Sequence, residues 1–166
     1  MKALKIYLCF LIVFHVPVRA DSATGFPVSL EKLYEQVKSG DSYAQALLGI
    51  CLRSGEFGLK VDKELARKWT LHAINSDEPL GYYNQANISM VAGNYEKATQ
   101  HYKKAQPGLL ELSSKGDAVA KYALGEVLFQ VIPTDVPRAL ELFKESAGLG
   151  FALAQATLGG LHIRGL

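Results

Sequence analysis

Cysteine is nearly absent: only Cys9 and Cys51 occur among 166 residues. Cys9 lies in a stretch that reads as a removable leader. The thiol left behind has no partner for an intrachain disulfide and no cysteine ligand set for zinc. A helical apolar neighbourhood makes Cys51 a core residue. Charge of one sign is missing too, with 18 basic residues against 16 acidic ones and no basic run, which disfavours nucleic acid as a partner. Past the leader the histidines are His72, His101 and His162. None has acids or cysteines at ligand spacing, so no metal, cofactor or catalytic centre is expected.

The first twenty residues are read apart from the rest. Lys2 and Lys5 form a basic start, Ile6 to Val13 is almost wholly apolar, and Val18-Arg19-Ala20 ends on a small residue. That is the layout of a cleaved secretory signal over residues 1–20, followed by a flexible mature start over 21–29. The expected location is therefore the periplasm or the exterior, with the membrane involved only through export. Lys2, Lys5 and Arg19 leave with the signal and no acid does, which turns the +2 of the whole chain into −1.

What is present is repetition. Leu-Gly returns three times behind an alanine four residues earlier: Ala44 with Leu48-Gly49, Ala120 with Leu124-Gly125, and Ala154 with Leu158-Gly159. A second register pairs Ala66 with Ala73, Ala98 with Ala105 and Ala139 with Ala147. Each of these carries a ring three or four residues after its first alanine, at Trp69, Tyr102 and Phe143. Small residues let helices approach closely while a ring fills the groove beside them. Ala86 takes the glycine position in the middle unit. The pattern predicts an all-α fold, a right-handed solenoid of antiparallel helix pairs with about three and a half repeats. A capping helix over Leu30–Lys38 leads into a repeat domain over 30–166. Its units are approximately 42–75, 80–106, 118–148 and a partial 152–166.

Spacing marks the middle unit as different. From each second-helix alanine to the next unit the steps are 20, 27 and 20 residues. The excess of seven is close to two helical turns, which keeps the packing face in register. Pro107-Gly108 lies inside it and predicts a kink or break. Asp62, Asp117 and Asp135 stand beside turns, where capping accounts for them. Asn87-Ile88-Ser89 matches a glycosylation acceptor but falls inside a helix, and is discounted.

These motifs resemble the Sel-one-like repeat (SLR), a relative of the tetratricopeptide repeat (TPR): Ala-x-x-x-Leu-Gly, a turn with glycine, an Asp, then Ala-x-x-Trp or another aromatic. The middle unit, with Gly93-Asn94-Tyr95-Glu96-Lys97-Ala98, is more similar to a tetratricopeptide second helix. The resemblance implies a protein-binding scaffold without catalytic activity, with envelope, host-interaction or secretion-related roles. Short exported members also include immunity proteins that block lipase effectors of type VI secretion. The alternative it implies is β-lactam binding or hydrolysis, described for cysteine-rich members that carry a cysteine pair in each repeat. Such pairs are absent here.

In arrays of this kind the first helix of each pair lines the concave side. The face turned from its partner helix carries Tyr43, Ala46, Ile50 and Arg53, then Tyr83, Asn87 and Met90, then Tyr122, Glu126 and Phe129. This mixture suits a protein-binding patch, with Tyr83 and Tyr122 as anchors. The same spacing also suits an inner core built by curvature. Ala154, Leu158 and Leu161 present an apolar first-helix face at the last repeat. That predicts self-association, or a reading frame truncated at Leu166.

Overall fold

The structure is a computed structural model that describes residues 29–131, 135–163 and 165. The signal read over 1–20 lies outside these, and of the stretch 21–29 only Ser29 is described. Eight α-helices follow in order: α1 Leu30–Lys38, α2 Ser42–Ser54, α3 Lys63–Asn75, α4 Pro79–Val91, α5 Tyr95–Ser114, α6 Ala118–Val131, α7 Val136–Gly148 and α8 Ala152–Ile163. No strand occurs among the described residues.

Polar side chains set the helix starts. Ser29, Asp41, Asp62, Asn94 and Asp117 each accept a backbone N–H three residues on, satisfying donors that a helix leaves open in its first turn. Asp135 makes no such bond; α7 begins instead with Pro137 in its first turn, where the missing N–H costs nothing.

Pairs α2–α3, α4–α5 and α6–α7 pack tightly, and each second helix also packs forward on the next first helix. First helices touch one another along the array, so they form an inner layer. Their composition explains the layering. In α6 nine residues are buried, from Ala118 to Leu128, as expected of a helix apolar on most faces. In α7 only the stripe Ala139, Leu142, Phe143 and Ser146 is buried, the signature of an outer helix.

Glycine decides how closely the layers meet. A Cβ on Gly125 would stand 2.7 Å from a Phe143 ring carbon and 3.2 Å from the Ala139 carbonyl oxygen. On Gly49 it would stand 2.9 Å from Thr70 Oγ1 and 3.1 Å from Asn84 Nδ2. The residue that fills the first unit's groove is therefore Thr70, four positions after Ala66, just as Tyr102 and Phe143 stand four positions after their alanines. Trp69, expected in that role, lies about 100° further round the helix. It is half-buried, with its ring 5.4 Å from that of His72.

Two further expectations need correction. Pro107 does not interrupt α5, which runs for 20 residues against 13 in both α3 and α7. The seven extra residues of the middle unit are thus two more turns of the same helix, anchored by buried Ala105, Leu109 and Ser113. Gly108 lets this segment lie against Pro79, where a Cβ would come within 2.2 Å. In α8, Ala154 and Leu161 are buried rather than exposed, because α7 packs across them. The open space there belongs to Gly159, whose added Cβ would meet nothing within 4 Å.

Candidate functional site

The inner layer holds every residue of the candidate stripe, and curvature splits the stripe in two. Tyr83 is fully buried and Tyr122 is 6 % exposed, so neither ring is a surface anchor. Ile50 is sealed as well. The face turned from the partner helix meets the next first helix rather than solvent, and the tyrosines bridge that junction. Tyr83 OH donates to Glu126 Oε2 at 2.7 Å. Tyr122 OH lies 3.4 Å from Thr157 Oγ1. Tyr43 OH reaches from α2 to Asp117 Oδ2, 2.8 Å away at the start of α6.

Burial, followed by the Glu126 carboxylate, raises the Tyr83 and Tyr122 hydroxyls well above the ordinary tyrosine range. Tyr43 is raised by burial and then by Asp117. These groups stay neutral donors, which is what a buried hydroxyl needs to stabilise a carboxylate.

Tyr43, Arg53, Met90, Glu126 and Phe129 remain half-buried; the Tyr43 hydroxyl is committed to Asp117, which leaves the other four as the reachable set. Asn87 is half-buried too, but its amide is committed: Oδ1 accepts from Tyr102 OH at 3.2 Å and Nδ2 donates to the Tyr83 carbonyl. Glu126 and Phe129 line a cavity of about 240 Å3 together with Thr157 and Leu161. The reachable residues of the stripe therefore offer one cation, one carboxylate and two apolar side chains, a set suited to recognition.

Inspection of the sequence missed a polar chain behind this face. Arg53 Nε donates to Asn84 Oδ1 at 2.6 Å, Asn84 Nδ2 donates to Thr70 Oγ1 at 2.7 Å, and Thr70 Oγ1 donates to the Ala66 carbonyl at 2.7 Å. Asn84 and Thr70 are fully buried. The available signal was Thr70 standing where the other units place a ring.

Burial pushes the Cys51 thiol up to about 12. His101 stacks on Tyr82 at 6.3 Å and is lowered by burial and then by Lys104. The Ser29–Lys32 spacing, formally Ser-x-x-Lys, is a helix cap on an exposed first turn. Among the described residues no three His, Cys, Asp or Glu side chains are grouped to hold a metal ion.

The Sel1 repeat family matches residues 42–76, 80–105 and 118–151, which are the pairs α2–α3, α4–α5 and α6–α7. No curated protein matches the chain. Among solved structures, a Sel1 repeat protein from Oxalobacter formigenes is similar at 25 % identity and a TM-score of 0.40, covering 78 % of this chain and 52 % of that one. A protective antigen of uropathogenic Escherichia coli strains, described as displaying an SLR fold, is 20 % identical with a TM-score of 0.41. That match covers 81 % of this chain and 28 % of the antigen. The chain spans about half the length of the first and under a third of the second.

Proposed function

The chain belongs to the Sel1 repeat family, and from that premise we propose that it is an exported, non-catalytic scaffold that binds another protein along its inner layer. Repeats of this family generally mediate protein–protein interaction. The observation that carries the proposal is the division of the inner layer into a sealed tyrosine network and a reachable set above it. A rigid base limits the entropy lost when Arg53, Met90, Glu126 and Phe129 are ordered against a partner. Its most specific form is an immunity protein that neutralises a lipase effector of type VI secretion.

The test is co-export with a lipase encoded beside the gene, read as growth. Rescue by this chain, weakened by Met90→Ala with Phe129→Ala in a variant that remains folded at the assay temperature, is the expected result. A lipase equally lethal with or without the folded chain overturns the immunity reading. Export is read by mass spectrometry of a periplasmic extract: Asp21 as first residue supports it, and an intact Met1 in the cytosol overturns it.

Self-association rests on a separate observation. An added Cβ on Gly159 would meet nothing within 4 Å and Ile163 is 86 % exposed on α8. Light scattering over a dilution series should show a mass that rises with concentration, and one constant monomer mass would end the idea.

A further inference from the structure

A second cavity, of about 350 Å3, opens at one edge of the solenoid where the C-terminal ends of α2 and α4 meet the N-terminal end of α3. Arg53, Lys63 and Arg67 supply its charge, and Ile88 and Val91 supply apolar wall. No carboxylate lines it, and none of the three cations forms an ion pair among the described residues. Lys63 stands in the first turn of α3 between Asp62, whose carboxylate is committed to capping the helix, and Glu64, which does not line the cavity.

Arg53 is not a loose surface cation. Its Nε is tied to buried Asn84, which is tied to buried Thr70, and Gly49 leaves out the Cβ that would collide with both. The guanidinium is thereby held at its Nε by a hydrogen-bonded chain in the cavity wall, while Lys63 and Arg67 are exposed and adjust to what arrives. A fixed planar donor flanked by two mobile cations suits a carboxylate. Val91, 78 % exposed, gives an apolar side chain beside that carboxylate somewhere to bury.

We propose that this cavity binds an extended acidic peptide segment of the partner, a carboxylate side chain next to an apolar one. The proposal rests on the scaffold reading and adds a second contact at the solenoid edge. Its volume lies within the range of ordinary ligand pockets, roughly 300–1,000 Å3, enough for the two side chains that carry recognition.

The probe is a fluorescein-labelled, amide-capped peptide containing Leu-Glu-Glu, compared with its Leu-Gln-Gln counterpart by fluorescence anisotropy on the full mature chain. The acidic peptide should bind saturably, and its neutral counterpart about tenfold more weakly. Lys63→Glu with Arg67→Glu should weaken the acidic peptide about tenfold or more while leaving the melting temperature unchanged, since both side chains are exposed. Val91→Asp should weaken it as well.

Equal affinity for the two peptides, no saturable binding, or indifference to the charge reversal overturns the proposal. So does tighter binding of inorganic phosphate than of the peptide, which would make this a simple anion site. Met90→Ala with Phe129→Ala leaves the peptide affinity unchanged. Loss of partner capture in that variant therefore bears on the scaffold reading alone, and loss of peptide binding in the charge-reversed chain bears on the cavity alone.

Discussion

The first and third repeats carry the same Leu-Gly pair and fill the groove beside it with opposite chemistry. Beside Gly125 sits the Phe143 ring, 2 % exposed, in an apolar contact that ends where the ring ends. Beside Gly49 sits the Thr70 hydroxyl, which accepts from Asn84, whose own oxygen accepts from Arg53. The glycine serves both because what the fold requires is a missing Cβ, and the chemistry of the filler is free. The polar filler connects the interior by hydrogen bonds to a charged group at the edge, whereas Phe143 reaches candidate contacts only as a wall of the cavity it shares with Glu126 and Phe129.

The largest effect that can break this comparison is removal of the fillers. Phe143→Ala removes a buried ring and enlarges the cavity it lines with Glu126 and Thr157, and should cost about 3–5 kcal/mol. Thr70→Val keeps the volume but strands the Asn84 amide, and should cost about 1–3 kcal/mol. Denaturant melts of both variants rank them, and the reverse order would mean that the polar chain, rather than ring burial, dominates the core.

Next come the glycines themselves. Gly125→Ala and Gly49→Ala both push a methyl toward backbone oxygen at 3.2 Å and should each cost about 1–3 kcal/mol by overpacking. Gly49→Ala should also displace Asn84 and so weaken binding of the Leu-Glu-Glu peptide, whereas Gly125→Ala should not. Equal peptide affinity in the two variants would uncouple Gly49 from Arg53.

A smaller effect, of opposite sign, is expected at the last copy of the motif. Gly159→Ala meets nothing within 4 Å, so removing helical glycine should stabilise by roughly 0.5–1 kcal/mol. A loss of stability instead would place an unseen neighbour over α8 in solution, a second copy being the first to examine by light scattering.

The smallest effect is a slope. Asp117 joins the first unit to the third through Tyr43, and burial raises its carboxyl above the ordinary range. The folded chain then holds a proton that the unfolded chain has released. The stabilisation is complete below the unfolded value of about 3.9 and is lost as pH rises through the raised folded value. Asp117→Asn should make the fall of melting temperature over that window shallower. Glu78, also raised by burial, keeps it from vanishing. Identical pH profiles would mean that the carboxyl is as solvated folded as unfolded.

Much of this was legible before any coordinates. Asp62 and Asp117 cap the helices expected of them, and Ala66, Ala98 and Ala139 are buried at crossings, because caps and small-residue spacing act through local geometry. Trp69 was misplaced because three and four residues after an alanine differ by one helical step, and only the neighbouring helix selects between them. Pro107 was over-weighted, since the penalty for proline in a helix is local while the burial of Leu109 and Ser113 is not. Tyr83 and Tyr122 fitted a recognition stripe and a core equally well in one dimension.

What the sequence determined by itself is the period and the pairing of helices, because these follow from spacing along a rigid helix. What only the tertiary structure decided is which face closes. Curvature brings one first helix against the next, shutting the tyrosines in and leaving Arg53, Met90, Glu126 and Phe129 reachable. Curvature is a sum of small rotations between units, and no single residue encodes a sum.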